Sequence, residues 1–157
     1  MRICDILKIE DIIYDFKADS KEDIINQMVD LFKGDARVKD LEKVRATVLE
    51  REQIMSTGVG MGFAIPHGKT DAVDDIIAAF ARTTNSVDFA SLDGEPVNLI
   101  FLLVGKEKLV GPHIKLLSRI SRMMNKEDFR KSLLNAKSVE ELYQIFCAEE
   151  EKYINIS

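Results

Sequence analysis

Residues 97–104, V-N-L-I-F-L-L-V, constrain the fold more than any other stretch, being apolar everywhere but Asn98. At this length, between Pro96 and Gly105, the run is a strand, and its near-continuous apolar character requires cover on both faces. It is also far too short to cross a bilayer. Ile76–Ala81 reads as a second buried strand and Val87–Phe89 as a shorter one, with Leu92-Asp93-Gly94-Glu95-Pro96 a turn. Ile12–Tyr14 reads as an extended piece, and residues 3–9 as a short strand or an irregular docking segment.

Helical periodicity lies on either side of these strands. Ser20 opens a helix with the stripe Ile24, Met28, Leu31 and Phe32, ended by Gly34. Asp40 caps the next, with Leu41, Val44, Val48 and Leu49 facing inward. That phase puts Arg51 and Glu52 at the helix C-terminus, where the dipole favours a cation by roughly 0.3–1 kcal/mol. Pro112 fits the first turn of a third helix carrying His113, Leu116, Leu117, Ile120 and Met124. Asn125 with Asp128, and Ser138 with Glu141, mark the starts of two more. The pattern predicts an α/β fold: a single-domain three-layer sandwich, with a mixed sheet flanked by helices. One domain spans 1–157, its core about 3–147, and the acidic tail from Glu149 is expected to fray.

Composition narrows the partners. A net charge of −5 argues against a nucleic-acid backbone or an anionic membrane as the main partner. Asp5, Lys8 and Glu10 break up any signal-peptide layout, which leaves the cytoplasm as the expected location. Cys4 and Cys147 make no C-x-x-C or zinc spacing, and are expected to be reduced thiols among apolar neighbours.

The chemistry concentrates in residues 51–70, R-E-Q-I-M-S-T-G-V-G-M-G-F-A-I-P-H-G-K-T. Gly58, Gly60 and Gly62 allow tight turning, Pro66 stiffens the approach to His67, and Gly68 leaves the ring uncrowded. A P-loop ending in Gly68-Lys69-Thr70 would need glycine where Phe63 stands, and Phe63 also breaks G-x-G-x-x-G. Nucleotide binding by either motif is disfavoured. A neutral imidazole near pH 7 is, however, a nucleophile able to take a phosphoryl group.

The run R-E…S-T-G-V-G-M-G-F-A-I-P-H-G-K-T-D-A-V resembles the active-site signature of type-2 EIIA domains of the bacterial phosphotransferase system, the fructose/mannitol class that also contains the nitrogen-regulatory EIIA proteins. The resemblance continues in F-A-S-L-D-G-E-P-V-N-L-I-F-L-L-V, H-I-K-L-L and N-A-K-S-V-E-E-L-Y-Q-I, so it covers about Ile3 to Ile145. It implies a mixed sheet of about five strands and a phosphoryl acceptor at His67. It further implies that Arg51 steadies the phosphoryl oxygens, that Thr57 offers its hydroxyl, and that His113 supports either the His67 ring or the phosphoryl group. Transfer between similar histidine bonds needs positioning and charge neutralisation, and no cofactor or metal.

The partners so implied are an HPr-like phosphocarrier as donor and a cysteine of an EIIB domain, serving a sugar permease, as acceptor. The alternative is a regulatory protein whose docking surface changes by about two negative charges on phosphorylation of His67. A third reading, a metal hydrolase using His67, His113 and Asp71, lacks any H-x-x-x-H spacing.

Overall fold

The computed structural model describes residues 1–154. Along the chain come α1 (Ile3–Ile6), β1 (Leu7–Phe16), α2 (Lys21–Asp30), α3 (Leu41–Ile54), β2 (Gly58–Gly60), β3 (Phe63–Ala64), β4 (His67–Lys69), β5 (Ile77–Val87), β6 (Val97–Gly105), α4 (Val110–Met124), α5 (Glu127–Asn135) and α6 (Val139–Ile154). The apolar strand β6 lies inside the sheet, whose order is β1-β5-β6-β3-β2, with β4 also paired to β6. β5 runs antiparallel to β6, while β3 and β4 run parallel to it. The sheet is mixed, as expected.

Alternate side chains of β6 enter two separate cores. Leu99, Phe101 and Leu103 meet Leu116, Ile120, Phe129 and Phe146 from α4, α5 and α6. Ile100, Leu102 and Val104 meet Ile24, Met28, Val44 and Val48 from α2 and α3. The three layers therefore follow from period-two alternation in a strand with no polar face. Phe80 and Phe146 pack edge to face with centroids 4.9 Å apart, joining sheet to helix.

Sequence and structure part at several points. The sheet has six strands, because the glycine segment itself pairs: β2 and β3 form an antiparallel hairpin. Ile3–Ile6 is a helical turn, Ile12–Tyr14 lies within the ten-residue β1, and Val87 ends β5 without starting a new strand. Ser20, Asp40 and Ser138 accept the backbone N–H groups of Asp23, Lys43 and Glu141 as caps. Asn125 does not cap α5; it ends α4.

The acidic tail is not frayed over the described residues. α6 continues to Ile154 with Glu149 and Glu150 buried. Glu150 accepts the N–H groups of Ile3 (2.6 Å) and Cys4 (3.3 Å) and pairs with Arg119 at 2.9 Å. The carboxylate thus serves donors at the start of α1 that have no intrahelical partner, which overrides the tendency of a charged end to loosen. Residues 155–157 of the expected tail lie outside the described residues.

The two cysteines are not free thiols. Cys4 and Cys147 form a disulfide, with Cα atoms 5.7 Å apart and a sequence separation of 143. Packing of α1 against α6 creates that proximity, and no local spacing announces it. Among the described residues, no helix is long and apolar enough to cross a membrane.

Candidate functional site

α3 presents two stripes at four-residue spacing. Val44, Val48 and Glu52 are buried, while Thr47 and Arg51 line a cavity of about 420 Å³ with His67, Lys69, Glu107 and His113. The sequence reading named Arg51 but missed Thr47, one turn earlier on the same stripe. The i, i+4 spacing alone would have found it. Its methyl group packs against the backbone of β4, where a Cβ on Gly68 would lie 2.9 Å from Thr47 Cγ2. Glycine at 68 thus lets α3 and the strand carrying His67 approach closely.

His67 is the first residue of β4 and follows Ile65 and Pro66, which lie between β3 and β4: the Ile65 N–H donates to the Thr57 carbonyl oxygen and the Pro66 carbonyl oxygen accepts from Leu103. Its Nδ1 lies 2.7 Å from the Ile65 carbonyl oxygen. A carbonyl only accepts, so Nδ1 carries the hydrogen and Nε2 keeps its lone pair. Burial lowers the His67 pKa below its ordinary value; the bond to Ile65 opposes this, the Arg51 charge adds to it and Glu52 opposes it. The ring is thus neutral at pH 7, with a nucleophilic nitrogen in a defined tautomer.

His113 sits in the first turn of α4, with its ring centroid 6.2 Å from that of His67. It is only 3% exposed, and its Nδ1 has no hydrogen-bond partner among the described residues. The ring packs onto Gly105 at the end of β6, where a Cβ would lie 2.4 Å from Nδ1. Burial, then the neighbouring charges of His67 and Lys69, push its pKa down to about 4 from 6.5. A depressed histidine pKa favours the neutral form in the folded state, so folding loses stability as pH falls from 6.5 towards 4. The unfolding free energy of the wild type relative to His113→Gln should therefore shrink by about 3 kcal/mol across that window. Urea titrations at several pH values measure it; a difference independent of pH would contradict it. Asp11, whose pKa burial raises to about 6, titrates with the opposite sign but is common to both proteins.

Thr57 does not line the cavity. Its hydroxyl donates to Glu52 Oε1 at 2.5 Å and its N–H to Glu52 Oε2 at 2.9 Å. The hydroxyl expected to meet a phosphoryl group is therefore committed to a buried carboxylate. The sequence reading assigned Glu52 no role, although its place four residues after Val48 marks it as an inward-facing charge. Asp71 is exposed and lies outside the cavity lining. Among the described residues, no group of three or more His, Cys, Asp or Glu side chains is placed to hold a metal ion.

Comparison with known proteins identifies the family. The family described as "Phosphoenolpyruvate-dependent sugar phosphotransferase system, EIIA 2" matches residues 5–148. The chain is 35% identical over 145 residues to the PTS system fructose-specific EIIABC component of Bacillus subtilis, covering 92% of this chain but only 23% of that protein. The crystal structure of nitrogen regulatory protein IIA-Ntr from Neisseria meningitidis superposes with a TM-score of 0.86 at 33% identity, covering 92% of this chain and 98% of that one. Enzyme IIAMtl of Escherichia coli, in its complex with phosphorylated enzyme IIBMtl, matches with a TM-score of 0.77 at 20% identity over 91% of this chain and 99% of that one, a likeness of fold. With the family matching nearly the whole sequence, the chain belongs to the type-2 EIIA family of the phosphoenolpyruvate-dependent sugar phosphotransferase system.

Proposed function

We propose that the protein is a phosphoryl carrier in which His67 accepts a phosphoryl group from the phosphohistidine of an HPr-like protein and passes it to a cysteine of an EIIB domain. The observation that carries this reading is the pairing of Nδ1 with the Ile65 carbonyl, which leaves Nε2 as the free nitrogen beside a cavity lined by Arg51 and His113. Nε2 attacks phosphorus as the donor's N–P bond breaks, and the donor imidazole leaves with its electron pair. The His67 ring then carries positive charge, with Nδ1–H still bonded to the carbonyl dipole of Ile65. Arg51 offsets negative charge on the phosphoryl oxygens, and His113 supplies a neutral ring at the cleft wall.

Both neighbours in transfer would be proteins, which suits a cavity open at the surface and lined by Lys69 and Glu107. The complex of the Escherichia coli mannitol enzyme with its phosphorylated IIB partner is consistent with onward transfer. A regulatory role has its own support in the likeness to IIA-Ntr over nearly the whole of that chain. In that reading, the phosphorylation state of His67 selects binding partners.

Incubation with radiolabelled phospho-HPr, followed by a panel of EIIB domains, separates the two. Transfer onto an EIIB cysteine within seconds supports carriage. Label that stays on His67 against every EIIB domain would overturn carriage and favour regulation.

A further inference from the structure

We infer that Glu52 is a positioning residue for Arg51: through Thr57 it fixes the turn whose carbonyl oxygen holds the guanidinium at the cleft. This rests on the phosphocarrier reading and assigns the buried charge which that reading leaves without a role.

Three residues, Met55 to Thr57, connect α3 to β2, and each is tied down. Arg51 Nη1 donates to the Met55 carbonyl oxygen at 2.9 Å. The Ser56 hydroxyl donates to the Phe89 carbonyl oxygen at 2.6 Å. Thr57 gives both its hydroxyl and its N–H to the two oxygens of Glu52. Adjacent residues at the helix end thus hold opposite ends of one turn: Arg51 grips where the turn begins, and Glu52 where it ends.

The carboxylate is not there for packing. Glu52 is 6% exposed and extends the stripe begun by Val44 and Val48, where an aliphatic side chain would bury at lower cost. Its counter-ion is Lys21 at 3.2 Å, which also lies 5.1 Å from the centroid of the Phe89 ring. What a carboxylate adds is the capacity to accept from Thr57 Oγ1, Thr57 N and Lys21 together. No neutral side chain of that size satisfies all three.

The consequence falls on Arg51. A long guanidinium side chain in a half-open cleft samples many rotamers, and a fixed carbonyl removes most of them before an anion arrives. One N–H is engaged at Met55, which leaves others to meet phosphoryl oxygens. If the turn loosens, the anchor moves and Arg51 loses its register with His67.

The test compares initial rates of labelling from phospho-HPr for the wild type, Glu52→Gln, Arg51→Ala and the double variant. Glu52→Gln should slow labelling about ten- to a hundredfold, the scale on which misplaced groups reduce rates. In the Arg51→Ala background, adding Glu52→Gln should change the rate by less than about twofold, because the two act through one contact. Thr57→Val should reproduce part of the loss, and Thr57→Ser should restore it. If Glu52→Gln does not fold, Thr57→Val alone and combined with Arg51→Ala carries the same comparison.

A Glu52→Gln protein labelled at the wild-type rate would overturn the inference. So would losses that multiply with that of Arg51→Ala, or a Thr57→Val loss that persists when Arg51 is absent. An unlabelled wild type is a different failure, that of the phosphocarrier reading itself.

Discussion

His67→Ala should abolish acid-labile, base-stable labelling from phospho-HPr, a fall of more than about a thousandfold, because the residue supplies the attacking atom and not merely its surroundings. His113 cannot substitute: it is buried, and its ring packs against Gly105. The variant should still fold, since His67 is only partly buried and belongs to neither apolar core. Circular dichroism and a urea midpoint close to the wild type establish that before labelling is compared. The wild-type product should be the Nε2-phosphorylated isomer, distinguishable by nuclear magnetic resonance, because Nδ1 is bonded to the Ile65 carbonyl. Undiminished labelling of folded His67→Ala, or an Nδ1 product, would remove the site assignment.

The second large effect concerns stability. Replacing either partner of the Cys4–Cys147 disulfide by serine should lower the unfolding free energy by about 3–5 kcal/mol, since the bond closes a loop of nearly the whole chain and restricts the unfolded ensemble most at that length. The steepness of urea unfolding should rise at the same time, because the unfolded chain, freed from its cross-link, exposes more surface. Neither cysteine lines the cavity, so labelling per folded molecule should not change. Equal urea midpoints for the oxidised wild type and Cys147→Ser would contradict this prediction.

Which features could be read in advance follows from how local their causes are. β6 and its two-sided burial were visible because eight consecutive residues carry the signal themselves. The caps at Ser20, Asp40 and Ser138 were visible because each partner lies three residues away. His67 stood out because proline and glycine frame it. The disulfide, the burial of Glu150 and the Glu52–Thr57 clamp stayed hidden for different reasons. The first two join parts of the chain more than 140 residues apart, where periodicity carries no information. The third is local, but the resemblance assigns the Thr57 hydroxyl to the phosphoryl group, whereas its acceptor is the carboxylate five residues before it. The pairing of the glycine segment stayed hidden because β2 and β3 are too short to show alternation.

One interruption in the sheet has a chemical result. β3 and β4 both lie along β6, and Ile65 between them donates its N–H to the Thr57 carbonyl oxygen, but the return bond is absent: the Thr57 N–H goes to Glu52, and the Ile65 carbonyl oxygen turns to the imidazole two residues on. An unbroken strand would give that oxygen to its neighbour's amide and leave the imidazole free to exchange its proton between nitrogens. The missing rung therefore acts as a proton selector: backbone regularity is given up at one residue, and regiochemistry is gained at the next.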